Sequence, residues 1–116
     1  MSNSAVLDER EVICFTNQPV KIPDSLQLLR DGEAVPKKRV CWRIMTKRDG
    51  DKRVVWDARS IPEINDAKKL FDQLKAEGMT PFVVGTDGSA TSREMEEFDP
   101  LAEEVLFVPM KHVIGG

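Results

Sequence analysis

Arg39-Val-Cys-Trp-Arg-Ile-Met45 and, after a short polar interval, Arg53-Val-Val-Trp-Asp57 decide the fold. In the first segment Val40, Trp42 and Ile44 fall on one face, and in the second Val54 and Trp56 do, which is the two-residue period of a strand. Asp49-Gly50 between them is a turn signal, so the pair reads as a β-hairpin. A two-residue Asp-Gly loop would set Ile44 opposite Val55 and split the apolar faces. A three-residue loop, Asp49-Gly50-Asp51, sets Ile44 opposite Trp56 and Thr46 opposite Val54, and keeps the faces together. One buried face specifies register strongly, so the three-residue loop with a bulge is expected.

Downstream, Ser60-Ile-Pro-Glu63 opens a helix. Ser60 caps it, Pro62 fits the first turn and Glu63 completes a capping box. Ile64, Ala67, Leu70, Phe71 and Leu74 recur at helical spacing, with Lys68, Lys69, Asp72 and Lys75 on the solvated side. Gly78 is placed as a left-handed terminator, giving a helix over about 61–77. Thr80-Pro-Phe-Val-Val84 reads as a strand, and Gly85-Thr-Asp-Gly88 as a turn or loop. Across Thr91 to Phe98, a capping pair (Thr91, Glu94) and the spacing of Met95 and Phe98 favour a short helix over a strand, ended by Asp99-Pro100. Val105-Leu-Phe-Val108 is the cleanest apolar run and reads as a buried last strand, about 103–108, stopped by Pro109. The order strand, strand, helix, strand, short element, strand packs most economically as an α+β two-layer sandwich, a mixed β-sheet with one main helix.

Upstream, residues 1–36 contain Pro19, Pro23 and Pro36 and only brief apolar runs, among them Glu11 to Thr16 and Val20 to Ile22. They read as an extended N-terminal arm or edge strands. The expected organisation is therefore an arm (1–36), one α+β domain (37–109) and a C-terminal tail (110–116). A chain of 116 residues can bury a core of its own. No apolar run approaches the ~20 residues that span a bilayer, and the first ten residues lack the basic start and apolar core of a signal peptide. Cys14 and Cys41 are too few for a disulfide framework and read as reduced core thiols. A cytoplasmic location, or the interior of a larger assembly such as a virion, is expected.

The net charge of −3 conceals a segregation. Lys37 to Arg59 carries nine basic residues against three acidic ones, a net of +6, and Asp87 to Glu104 carries seven acids against one arginine, a net of −6. The basic set Lys37, Lys38, Arg39, Arg43, Lys47, Arg48, Lys52 and Arg53 is one candidate interaction face. The acidic set Glu94, Glu96, Glu97 and Asp99 is the other. Opposed charges of this size suit head-to-tail contact between copies or docking to a charged partner.

Catalytic and metal chemistry find little support. His112 is the sole histidine and lies in the tail, where no third group would hold it as a base. Two distant cysteines do not make a metal site, the acids of 94–99 lack the calcium-loop pattern, and no metal or other cofactor is expected. Asp57 ends a strand ahead of a helix, the position of a ligand-binding acid in an open α/β sheet, but standing alone it reads as a surface or capping residue. Gly85 and Gly88 are turn glycines rather than a phosphate loop. The chain is expected not to be an enzyme. The basic hairpin with Trp42 and Trp56 has the ingredients of a nucleic-acid ribbon. Both tryptophans fall on the apolar face, however, so core packing explains them better and nucleic acid ranks third among partners.

The tail, Met110-Lys-His-Val-Ile-Gly-Gly116, supplies the sharpest functional idea. Without side chains, Gly115-Gly116 can enter a narrow channel, where the carboxylate is activated as an acyl-adenylate and passed to a thiol, amine or sulfide. Here the chain resembles ubiquitin and the small sulfur-carrier proteins, which share a hairpin, a helix, a further strand, and a last strand running into a mobile Gly-Gly end. The corresponding stretches are 39–57, 61–77, 80–84, 103–108 and Gly115-Gly116. The resemblance implies a β-grasp fold, an adenylating enzyme as partner and Gly116 as the residue activated. Two readings of a non-catalytic protein acting through protein–protein contacts therefore stand side by side: a Gly-Gly carrier or modifier, and an assembly subunit that contacts copies of itself and other subunits.

Overall fold

The computed structural model describes residues 10–13, 19–30, 32–46, 50–84 and 93–109. Among them the order is β1 (Glu11–Ile13), β2 (Pro19–Lys21), β3 (Gln27–Leu29), β4 (Val40–Met45), β5 (Asp51–Trp56), α1 (Ile61–Ala76), β6 (Met79–Val83), β7 (Arg93–Glu94) and β8 (Glu104–Pro109). Strands β1 and β2 pair as a separate antiparallel ribbon, and the other six form one sheet in the order β3-β5-β4-β8-β6-β7. Only β4 and β8 run parallel in that sheet. The fold is α+β, a mixed sheet with one helix packed on one face.

The hairpin forms with its apolar faces in agreement, but its register differs from the expected one. Ile44 lies opposite Lys52, Trp42 opposite Val54 and Val40 opposite Trp56, so each β4 residue meets a partner four positions earlier than anticipated. The expected register would have set Trp42 against Ala58 and Val40 against Ser60, beyond the end of β5. The observed one gives both a strand partner. The turn chemistry agrees. Thr46 donates from its backbone N–H (2.9 Å) and from Oγ1 (2.8 Å) to the Gly50 carbonyl. Gly50 holds φ +70°, a left-handed conformation that suits glycine.

The helix starts and stops as its caps dictate. Ser60 Oγ accepts from the Glu63 N–H at 3.4 Å. The Glu63 carboxylate accepts the Asp57 N–H (2.9 Å) rather than the cap's own, tying the helix start to the end of β5. Gly78 follows the helix at φ +87°. Thr91, the expected cap of the short helix, lies outside the described residues, and over the described part, 93–98, there is no helix: residues 93–94 pair antiparallel with Phe82 and Val83, and the Met95 N–H reaches the Pro81 carbonyl at 2.8 Å. Asp99-Pro100 leaves room for barely two helical turns, too few to offset nucleation. The edge of β6 offers backbone partners immediately.

Five aromatic rings form the centre of the core. Trp42 meets Trp56 at 5.7 Å between ring centroids, Phe71 at 6.3 Å, Phe98 at 6.2 Å and Phe107 at 5.0 Å. These rings come from β4, β5, α1, the 95–99 segment and β8. Val12, Val20, Ile22 and Leu26 share the same buried cluster. The Arg10 guanidinium fastens their segment by donating to the carbonyls of Ile22, Pro23 and Leu26. On the opposite face of the sheet, Leu29, Cys41 and Val55 make a small second cluster.

Trp42→Ala removes the ring that every layer touches. It is expected to cost about 3–5 kcal/mol in urea unfolding followed by circular dichroism. A loss below about 1 kcal/mol would mean that the core is not organised around this side chain.

Candidate interaction surfaces

The sheet order decides where the charges go. The basic hairpin β4–β5 occupies one half of the sheet, and β7, which leads into the acidic segment, is the opposite edge. Four strand spacings separate β5 from β7, about 19 Å at ~4.8 Å each. The charge segregation of the sequence is thus also a separation in space.

Alternation divides the basic residues. Arg43 and Arg53 are cross-strand partners on the face away from the helix. Two arginines placed so repel, and local acceptors offset this. Arg43 Nη2 lies 3.1 Å from Asp51 Oδ2 and Nη1 3.9 Å from Glu104 Oε2, while Arg53 Nη2 donates to the Arg30 carbonyl at 2.6 Å. Lys52 lies on the helix side, opposite Ile44. Lys37 and Lys38 are exposed in the loop before β4. Arg39 Nη1 is 3.7 Å from Asp57 Oδ2. Lys47, Arg48, Gly115 and Gly116 lie outside the described residues, as do Cys14 and His112.

The acidic residues stay close together. Glu94, Glu96 and Glu97 are exposed, and no ion pair among the described residues neutralises them. Asp99 is half-buried and its Oδ1 accepts the Leu101 N–H at 2.9 Å. Beside them the surface dips twice. One depression of about 370 Å³ runs between α1 and the segment, lined by Lys68, Phe71, Asp72, Lys75, Glu96, Glu97 and Phe98. The other, about 690 Å³, adds Val83, Glu94, Met95 and Asp99 and shares Glu96, Glu97 and Phe98. Lys75 sits on the rim with Nζ 5.4 Å from the Phe71 ring centroid and 3.3 Å from the Glu96 carbonyl. This groove was not legible in the sequence. Its only trace is the pairing of Phe71 with Lys75 one helical turn on, which reads as ordinary surface.

Asp57 acts at the junction of β5 and α1. Its Oδ1 accepts the Arg59 backbone N–H (2.9 Å) and Nε (3.1 Å), and its carbonyl accepts the Ser60 N–H (3.0 Å). The Arg59 side chain, then its backbone N–H, hold the carboxyl below the usual aspartate range. Burial pushes the Cys41 thiol up, and the Glu104 charge adds to that against Arg53 and Arg43. Such a thiol is a weak nucleophile. Among the described residues no three His, Cys, Asp or Glu side chains group as metal ligands, and no helix is long and apolar enough to cross a membrane. The indole N–H groups of Trp42 and Trp56 are buried and have no hydrogen-bond partner among the described residues. No family model, curated protein or solved structure matches this chain.

A depressed carboxyl supplies stability above its unfolded value of about 3.9, and that contribution is lost as pH falls through the lower folded value. Asp57→Asn is therefore expected to be less stable than the parent near neutral pH, with the gap closing in urea unfolding below about pH 3. A gap that stays constant over this range would remove Asp57 ionisation from the account.

Proposed function

We propose that this protein is a non-catalytic assembly subunit that works through contacts with other proteins, copies of itself included. The observation that carries this reading is the separation of the acidic 94–99 segment, whose glutamates no ion pair among the described residues neutralises, at the β7 edge from the basic hairpin in the other half of the same sheet. A molecule polarised in this way attracts its own kind head to tail, and the attraction is electrostatic at long range. The net charge of −3 is small enough that overall repulsion between copies stays weak.

A second reading has its own support. The hairpin, helix, further strand and last strand that resemble ubiquitin and the sulfur carriers lie on one sheet around one helix, with the last strand, β8, parallel to and beside the first strand of the hairpin, β4. On this β-grasp reading Gly116 would be adenylated by a partner enzyme. Mass spectrometry of protein from its native host tests it: a thiocarboxylate or conjugate at Gly116 supports the carrier, and an unmodified end in every preparation counts against it.

For the assembly reading, sedimentation velocity on the full chain across a salt series is decisive. Association is expected at low ionic strength, where the screening length is about 30 Å at 0.01 M, and is expected to weaken toward 1 M, where it is about 3 Å. A monomer at every concentration and salt would overturn it.

A further inference from the structure

We infer that two copies of this chain pack through the sheet face opposite α1, related by a two-fold axis that runs along the strands between β8 and β6. This rests on the assembly reading above and gives it one surface. The helix and the β1–β2 ribbon lie on the side of the main core, and no described helix or strand packs on the other side. That side carries the small buried cluster of Leu29, Cys41 and Val55 and, beyond it, Leu106, Val108 and Phe82, each half-buried. A sheet covered by one layer leaves such apolar surface to be met by another molecule.

The strand registers place the charges of this face. Arg43 pairs with Leu106, Leu106 with Phe82, and Phe82 with Glu94, so these four residues form one row across β4, β8, β6 and β7. Arg53 extends the row on β5 beyond Arg43. The row therefore reads cation, cation, apolar, apolar, carboxylate. At its basic end Asp51 takes a hydrogen bond from Arg43, while Arg53 donates to the neutral Arg30 carbonyl and has no carboxylate partner among the described residues. At the other end Glu94 is exposed and stands in no ion pair among the described residues. Strands β8 and β6 bring no cation, and β8 brings a second carboxylate, Glu104, 3.9 Å from Arg43. Arg93 registers with Val83, which belongs to the cluster on the helix side.

Such a row is complementary to itself when reversed. Rotation about an axis between β8 and β6 sets Leu106 over Phe82 of the second copy. It also sets Arg43, with Arg53 beside it, over Glu94 of the second copy. Both contacts occur twice, as an isologous interface requires. Strand β7 lies one and a half strand spacings from the axis, about 7 Å at ~4.8 Å each. The turn of about 30° between aligned sheets then shifts Glu94 along the facing strand by only about 4 Å, within reach of a guanidinium. An axis along β8 itself would bring Glu104 onto Glu104 of the second copy, a like-charge contact, so the axis between the strands is favoured. Each basic half lies over the other copy's acidic edge, and the head-to-tail attraction is made twice and closes on a dimer.

Sedimentation velocity of the full chain at low salt tests this with two charge reversals, E94R and R53E. Each places like charges at both ends of the interface. E94R changes an exposed edge residue, and R53E gives Arg43 an opposite charge across the hairpin, so circular dichroism and melting temperature are expected to match the parent. The parent is expected to form a dimer and nothing larger. Each variant alone is expected to dimerise about tenfold or more weakly, and an equimolar mixture of the two to regain association, because opposite charges then meet at both ends. The inference is overturned if both variants associate as well as the parent, if the mixture regains nothing while both are folded, or if the parent grows past a dimer. In those cases the assembly reading stands and only this surface is wrong. A parent that stays monomeric at every concentration leaves the face to another occupant, and the assembly reading falls together with this inference.

Discussion

The structure depends on the burial of Trp42. Its ring stands on the central strand β4 and touches aromatic side chains from β5, α1, β8 and the 95–99 segment. Fully burying such rings removes a large apolar area from water, and edge-to-face pairs add about 0.5–1.5 kcal/mol each. The indole N–H groups of Trp42 and Trp56 have no hydrogen-bond partner among the described residues. The register of the hairpin is consistent with the same demand, because the observed pairing sets Val40 opposite Trp56 and Trp42 opposite Val54, apolar residue against apolar residue.

That packing has consequences at the surface. The helix and the Phe98 segment cover the same face of the sheet, so the acidic residues flanking Phe98 are carried to the rim of the core at the β7 edge. The hairpin, fixed by Trp42 and Trp56, holds its basic residues in the other half. Folding thus converts a charge asymmetry along the chain into one across the molecule. Phe98 joins the two levels: it seals the aromatic cluster from one side and floors the groove from the other.

Much of the fold was legible because periodicity reports directly on burial. The helix stripe from Ile64 to Leu74 and the alternation in 40–44 and 54–56 mark the face that carries the main core, and Ser60 marks the helix start. Elements that depend on distant partners were not legible. The short strand at Arg93–Glu94 exists because β6 has an unpaired edge, and a local reading saw only a capping pair and two apolar residues. The hairpin register depended on which loop Gly50 would join, and two loops of the same parity satisfied the apolar pattern equally. Of the candidate surfaces, the acidic cluster could be read from spacing alone. The groove beside it could not, because Phe71 and Phe98 are brought together only by the tertiary fold.

The central proposal is that copies associate head to tail, with the acidic segment at the β7 edge of one against the basic half of the sheet of the next. Amide hydrogen exchange, compared between dilute and associating concentrations of the same full chain, tests it most directly. The account predicts added protection in those two regions, 94–99 and the hairpin flanking Gly50, and its disappearance at high salt. Added protection confined to α1 and the β1–β2 ribbon, or protection indifferent to salt, would contradict it.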